Sequence, residues 1–158
     1  ITDFPLFEWN DDENRWNATH HAFCMPREDH IDILKTDPES VIAESYDLIC
    51  NGLEMASGSI RVHKRELQED IFEVLGYSKE DVADRFSQLL DSFEYGAPPH
   101  GGIAPGIDRL IMVLLGKRSI RDVIAFPKTQ SQMDPLFQAP SPISPEQLEE
   151  LKIQIIEE

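Results

Sequence analysis

The apolar and polar positions of this chain divide it into strand-like and helix-like stretches. Ser45–Cys50 and Leu53–Val62 read as strands, and the Asn51-Gly52 pair between them predicts a type I′ hairpin, which needs positive φ at both central residues. From Lys64 the rhythm becomes helical. Leu67, Ile71, Val74 and Leu75 share one face of a helix over about Lys64–Leu75, closed by Gly76 at the C′ position. Ser78, with Asp81 three residues on, caps a second helix whose apolar face is Val82, Phe86, Leu89, Leu90 and Phe93. Both are expected to cover one side of a sheet. Gly101–Gly116, GGIAPGIDRLIMVLLG, predicts a glycine-rich strand passing into a helix that is apolar on nearly every side and therefore buried.

The flanks follow the same logic. Ile1–Glu8 reads as an edge strand interrupted by Pro5, Asn10–Asn14 as a polar turn and Trp16–Phe23 as a strand. Pro26–Glu39 is an acidic surface loop, and Gly96–Gly102 a tight loop in which His100 is either a loop contact or a ligand-facing group. Val123–Phe126 reads as a short buried strand stopped by Pro127. Ser144–Gln147 is a capping box with Pro145 at the first helical position, and Leu148, Leu151 and Ile155 stripe the last helix. There is no internal repeat. The order of elements and the hairpin predict an α+β fold, an antiparallel sheet flanked by helices.

Composition narrows the class. The 158 residues are 41% hydrophobic and 28% charged, which suits one soluble globular domain. The net charge of −16 argues against a free-standing nucleic-acid-binding module, which would carry a basic face. Cys24 and Cys50 stand far apart, as expected of a reduced, cytoplasmic protein, and no apolar run reaches the ~18 residues of a membrane span. The chain opens on ITDFPLFEW, a strand already under way, and reads as a piece of something longer.

Three groups of residues carry candidate chemistry. In the expected hairpin register Cys50 faces Leu53, Ile49 faces Glu54 and Asp47 faces Ala56, so Asp47 and Glu54 share a face as diagonal neighbours. Two close carboxylates repel unless a cation separates them. A divalent ion, Mg²⁺ for preference, or a lysine or arginine from elsewhere would serve. Arg61 falls on the opposite face by strict alternation, and a bulge at Ser57-Gly58 would bring it round. The small residues Ala56–Ser59 are expected to leave open space there. The third group is Asp108 and Arg109, in the first turn of the apolar helix. The positive end of a helix repels arginine, so Arg109 needs an anion, either an internal carboxylate or a ligand. His20 and His21, on a strand, would point to opposite faces, and with Cys24 they fall short of the four ligands of a zinc site.

Taken together these residues resemble a known family. GIAPGIDR is similar to the third signature motif of class II aminoacyl-tRNA synthetases. DFPLFEW, HHAFCMP, YDLICNGLEMASGSIR, YGAPPHGGIAPGIDR and SIRDVIAFPKT, in that order, resemble the C-terminal part of the catalytic domain of bacterial-type aspartyl-tRNA synthetases over nearly the whole chain, 1–158. The resemblance implies that Arg109 binds the γ-phosphate of ATP and lies against its adenine, with Gly106, Ile107 and Asp108 completing that wall of the pocket. It implies that Asp47 and Glu54 hold Mg²⁺–ATP, that Arg61 binds the side-chain carboxylate of L-aspartate, that Ser59 lines the amino-acid pocket, and that His20, with His21 behind it, closes over the amino acid. The expected reaction has two steps: aspartate attacks the α-phosphate of ATP, then the aspartyl group passes to the 3′ end of tRNA.

The same resemblance places the family's first and second motifs and its anticodon-binding domain outside this chain. The full enzyme is expected to be a homodimer with no membrane attachment, and this chain alone to be inactive. Ala56-Ser57-Gly58 replaces a run of three glycines, which would tighten the pocket. His-His-Ala-Phe-Cys replaces His-His-Pro-Phe-Thr, which relaxes the backbone after His21. Asparaginyl- and lysyl-tRNA synthetases share the third motif but fit the Arg61 and FPKT blocks less well. An adenylate-forming asparagine synthetase and a non-catalytic binding module are the alternatives of a different class.

Overall fold

The computed structural model of the chain describes residues 1–156. The chain divides into two compact units, one of Ile1–Gly106 and a second that begins at Ile107. In the first unit β1 (Phe7–Asn10) and β2 (Arg15–Ala18) form an antiparallel hairpin in which Trp9 faces Trp16. A three-stranded antiparallel sheet follows in the order β3 (Ser45–Cys50), β4 (Leu53–Ile60) and β5 (Gly101–Pro105). Helices α1 (Arg65–Val74) and α2 (Lys79–Phe93) lie between β4 and β5 in the chain.

The expected hairpin is present, with φ of 53° at Asn51 and 77° at Gly52. Its register holds for Cys50–Leu53 and Ile49–Glu54 and then shifts, so that Leu48 faces Ala56 and Asp47 faces Ser57 rather than Ala56. Met55 is the extra residue. Its carbonyl accepts instead from the Gly106 N–H at 2.8 Å. The bulge therefore lies three residues before Gly58, and it inverts the parity of everything after it: Ser57 and Ser59 join Asp47 and Glu54 on one face.

Gly58 has a different task. A Cβ built there would lie 2.2 Å from the Gly102 carbonyl oxygen and 2.5 Å from the Tyr46 ring, so only glycine lets β5 come this close. The Tyr46 hydroxyl reaches across to donate to that same carbonyl at 3.1 Å. At Gly58 the space left by the small residues of β4 is filled and not open. β5 and Tyr46 occupy it, and Ala56 and Ser59 on either side are buried. Pro105, which lacks an N–H, sits on the edge strand, where no donor is missed.

The core lies away from this sheet. Leu67 and Ile71 of α1, with Leu75 just past its end, pack with Leu6, Phe7, Leu34, Val41 and Val62, so α1 covers the β1 side of the unit and not the three-stranded sheet. Phe72, the next residue on α1, is fully buried and stacks on Phe86 of α2 at 4.4 Å between ring centroids. Each such side chain contributes roughly 1.5–3 kcal/mol through burial. Ser78 caps α2 through a reciprocal box with Asp81, and Gly76 ends the preceding turn at φ 84°, as the sequence implies.

The second unit departs more from expectation. Its first helix, α3 (Ile107–Leu114), buries only Met112, while Ile107, Leu110, Ile111 and Leu114 are exposed. Its main neighbour among the elements is the short 3₁₀ turn at Ile120–Asp122, too small to cover an apolar helix on every side. Val123–Phe126 is not a strand: the Val123 and Ile124 amides fold back to the Ile120 carbonyl at 3.1 Å and close a turn, and Phe126 is exposed. Helix α4 (Pro145–Leu151) has the expected capping box of Ser144 and Gln147, but it ends at a left-handed Lys152, which leaves Ile155 beyond the helix.

The geometry at Gly58 yields a direct expectation. Gly58→Ala should destabilise the first unit by about 1–3 kcal/mol, since neither the Gly102 backbone nor the Tyr46 ring can yield cheaply. Gly102→Ala, with nothing within 4 Å of its Cβ, should stay within about 0.5 kcal/mol. Denaturant unfolding of the two variants measures the contrast.

Candidate functional site

The bulge at Met55 decides which side chains meet. Past it, the face that carries Asp47 and Glu54 also carries Ser57, Ser59 and, one step beyond the end of β4, Arg61. The sequence places Arg61 on this face only through a bulge. The structure supplies one, earlier in the strand.

Arg61 is held from both sides. Its N–H donates to the His100 carbonyl at 2.9 Å, and it pairs with Cys24 in an isolated antiparallel bridge. Met25 N–H to Ile60 O at 2.9 Å and Val62 N–H to Phe23 O at 3.0 Å complete a short ladder, so residues 23–25 extend the sheet beside the arginine. Histidines 20 and 21 accordingly lie in a turn before this ladder and not on a strand, since β2 ends at Ala18.

The Arg61 guanidinium, half-buried, rests against His21, with Nη1 3.0 Å from Nδ1 and in contact with Nε2. The Phe23 N–H also points at Nδ1, from 3.2 Å. The Phe23 N–H is the donor directed at Nδ1 and makes that nitrogen the acceptor of a neutral ring, while the guanidinium touches both ring nitrogens. The Cys24 sulfur lies 3.6 Å from Nδ1 and 3.7 Å from Nε2. Burial, then the Arg61 charge, then His20, hold the His21 imidazole below its ordinary value of 6.5, because each disfavours a second positive charge there. Among the described residues no carboxylate forms an ion pair with Arg61.

The other expected residues are distributed as follows. Ser59 is buried, and its hydroxyl and that of Ser45, directly opposite, have no hydrogen-bond partner among the described residues. His20 is exposed, with its ring edge-on to Phe4 at 4.9 Å. Gly106 closes the first unit, and Ile107, Asp108 and Arg109, all exposed, open α3 of the second. His100 turns its Nδ1 to the Pro98 carbonyl at 2.8 Å and is a loop contact.

Among the described residues no group of three or more His, Cys, Asp and Glu side chains could hold a metal ion. Asp47 and Glu54 offer two carboxylates on one face. That donor set suits Mg²⁺, which takes one or two carboxylates and completes its octahedron with water and phosphate oxygens.

A cleft of about 420 Å³ opens beside Arg61, lined by Phe23, Gln68, Leu89, Phe93 and His100. A larger one, about 640 Å³, lies between α1 and α2. Its charges already satisfy one another: Lys35 bonds Asp70 and Glu73 at 2.6 and 2.7 Å, which pushes its amine up to about 12. The smaller cleft is therefore the one with chemistry to offer. Gln68 in its wall escaped the sequence reading, although a signal existed. It is a polar residue on the core face of α1, three and four positions before Ile71 and Phe72.

The family model for tRNA synthetases class II (D, K and N) matches residues 1–130. Over 98% of its length the chain is 56% identical to an aspartate–tRNA(Asp/Asn) ligase of Rubrobacter xylanophilus, of which it covers 26%. An aspartate–tRNA ligase of Listeria welshimeri is 49% identical over 98% of the chain, again with 26% of that protein covered. Among solved structures, an aspartyl tRNA synthetase from Entamoeba histolytica matches 74% of this chain and 22% of its own, with a TM-score of 0.59 and 28% identity. The chain thus spans about a quarter of the length of the curated relatives it matches. With its antiparallel sheets, its flanking helices and this likeness, the chain belongs to the class II tRNA synthetases of the D, K and N group.

Proposed function

We propose that this chain supplies part of the aspartate- and ATP-binding surface of an aspartate–tRNA ligase. The observation that carries this reading is Arg61, a half-buried guanidinium set against a neutral imidazole, with no ion-paired carboxylate among the described residues. Such a group is a receptor for a planar anion, and the fork of a guanidinium matches a carboxylate through two parallel hydrogen bonds. The unpartnered Ser59 hydroxyl on the same face supports a small polar ligand, here the substrate L-aspartate. That the relatives are aspartate–tRNA ligases favours aspartate over asparagine or lysine.

In the reaction we assign, a carboxylate oxygen of aspartate bonds to the α-phosphorus of ATP as the bond to pyrophosphate breaks, which yields aspartyl-adenylate. A ribose hydroxyl at the 3′ end of tRNA then takes the aspartyl group and AMP leaves. We assign Arg109 to the γ-phosphate and adenine, Gly106, Ile107 and Asp108 to the adjoining nucleotide wall, and His20 and His21 to the segment over the amino acid. Asp47 and Glu54 would hold Mg²⁺, which when bound supplies charge neutralisation for the phosphates. Positioning and charge, with no protein nucleophile, are what this chemistry requires. Binding of tRNA is assigned to the full enzyme, a cytoplasmic homodimer, because a chain of net charge −16 repels a polyanion. Among the described residues no helix is long and apolar enough to cross a membrane.

Aspartate-dependent ATP–pyrophosphate exchange, with asparagine and lysine as controls, tests the reading on this chain and on its longest natural form. Exchange with aspartate in the long form alone is expected. Exchange in neither, with folded protein, would overturn the assignment. In the active form Arg61→Gln should raise KM for aspartate by about 10- to 100-fold, the loss of roughly 1.5–3 kcal/mol of charge-assisted hydrogen bonding.

The neutral state of His21 has a pH signature. Its folded value lies below 6.5, so its contribution to stability is fully present above that pH and is lost as pH falls below it through the folded value. Thermal melting should therefore drop more steeply between about pH 7.5 and 5 in the wild-type chain than in His21→Gln. Equal slopes would place the titration elsewhere.

A further inference from the structure

Gln68 is a fully buried polar side chain to which the proposed chemistry assigns no task. Its Nε2–H donates to the Ala22 carbonyl at 2.6 Å, while its Oε1 is buried with no partner among the described residues. A side chain present only for packing has no need of an amide here, since methionine or leucine fills such a volume without orphaning an oxygen. One bonded end and one unbonded end single out the donor as the functional part.

The bond falls on a particular peptide. The Ala22 carbonyl and the Phe23 N–H belong to one planar unit, and in a trans peptide the two point in opposite directions. Holding the carbonyl toward α1 therefore aims the Phe23 N–H the other way, and there it meets His21 Nδ1 at 3.2 Å. The same Nδ1 lies 3.0 Å from Arg61 Nη1. The Cys24 N–H reaches back to the His21 carbonyl at 3.5 Å and closes a turn around this peptide, but a turn of that kind accepts either orientation of its central peptide, and alanine at position 22 does not choose between them. The amide on α1 does.

We propose that Gln68 is a positioning residue for Arg61: through the Ala22–Phe23 peptide it holds the His21 ring as a neutral acceptor beneath the guanidinium. Its consequence for aspartate rests on the reading of Arg61 given above, whereas the geometry can be tested with no substrate at all. Gln68→Met and Gln68→Leu remove the donor and keep the volume, and either variant that folds is sufficient.

The first measurement is made on this chain by NMR. Imidazole ¹⁵N shifts report which His21 nitrogen is protonated, and amide exchange reports the Phe23 N–H. In the variants the His21 nitrogens are expected to lose their distinct shifts. The Phe23 amide should exchange about tenfold faster while the Ile71 and Leu6 amides keep their protection. An unchanged ring and Phe23 amide overturns the proposal. So does a uniform loss of protection at Ile71 and Leu6, or failure of both variants to fold, because either outcome makes Gln68 a packing residue.

The second measurement is aspartate-dependent exchange in the longest natural form. KM for aspartate should rise about tenfold with kcat and KM for ATP nearly unchanged, a split that general loss of structure does not produce. Wild-type protein without exchange, alongside the NMR change, would refute the ligase reading and leave the positioning role standing.

Discussion

One extra residue in β4 controls everything that follows it on that strand. In a sheet the side chains alternate with a period of two, so a single inserted residue exchanges the faces of all later positions. With Met55 outside the β3 ladder, Ser57, Ser59 and Arg61 share a face with Asp47 and Glu54. Without it, Arg61 would project to the side of Leu53. The insertion is kept because its carbonyl is satisfied by the Gly106 N–H at the end of β5, and β5 can lie there only because residue 58 has no side chain.

The electrostatics of the face are short-ranged. A chain with 14 basic and 30 acidic residues does not attract anions from a distance. On the proposed reading, capture of a carboxylate here comes from contact geometry, from a guanidinium that pairs with no carboxylate among the described residues. A neutral His21 fits this requirement, because an uncharged ring lies against Arg61 without cancelling its charge. The surface ion pairs of α1 and α2 show the opposite arrangement. Lys35 and Arg65 each meet two or more carboxylates, and all of them are at least partly exposed to water, so each pair adds little to stability.

Much of the local structure was legible because it depends on neighbours in sequence. The Asn51-Gly52 turn, the Ser78 and Ser144 capping boxes and the Gly76 terminus each arise within about four residues, where the side-chain chemistry is sufficient. The candidate site was legible in part. Asp47, Glu54, Ser59, Arg61 and Arg109 could be chosen from their types, their spacing and a resemblance. Gln68 could not be tied to the site, because its partner at Ala22 is 46 residues away. Val123–Phe126 was misread for the same reason: an apolar run becomes a strand only if another strand pairs with it, and here its amides turn back to Ile120.

The sequence by itself therefore determined most of the elements and their caps, which follow from chemistry local to the chain, and its motifs carried the resemblance to the class II family. The tertiary structure decided the placement of the bulge, the burial of the small residues of β4 and the bond from α1 that orients His21 toward Arg61. Those depend on which backbone groups find partners across the fold, and no local pattern of side chains encodes that choice.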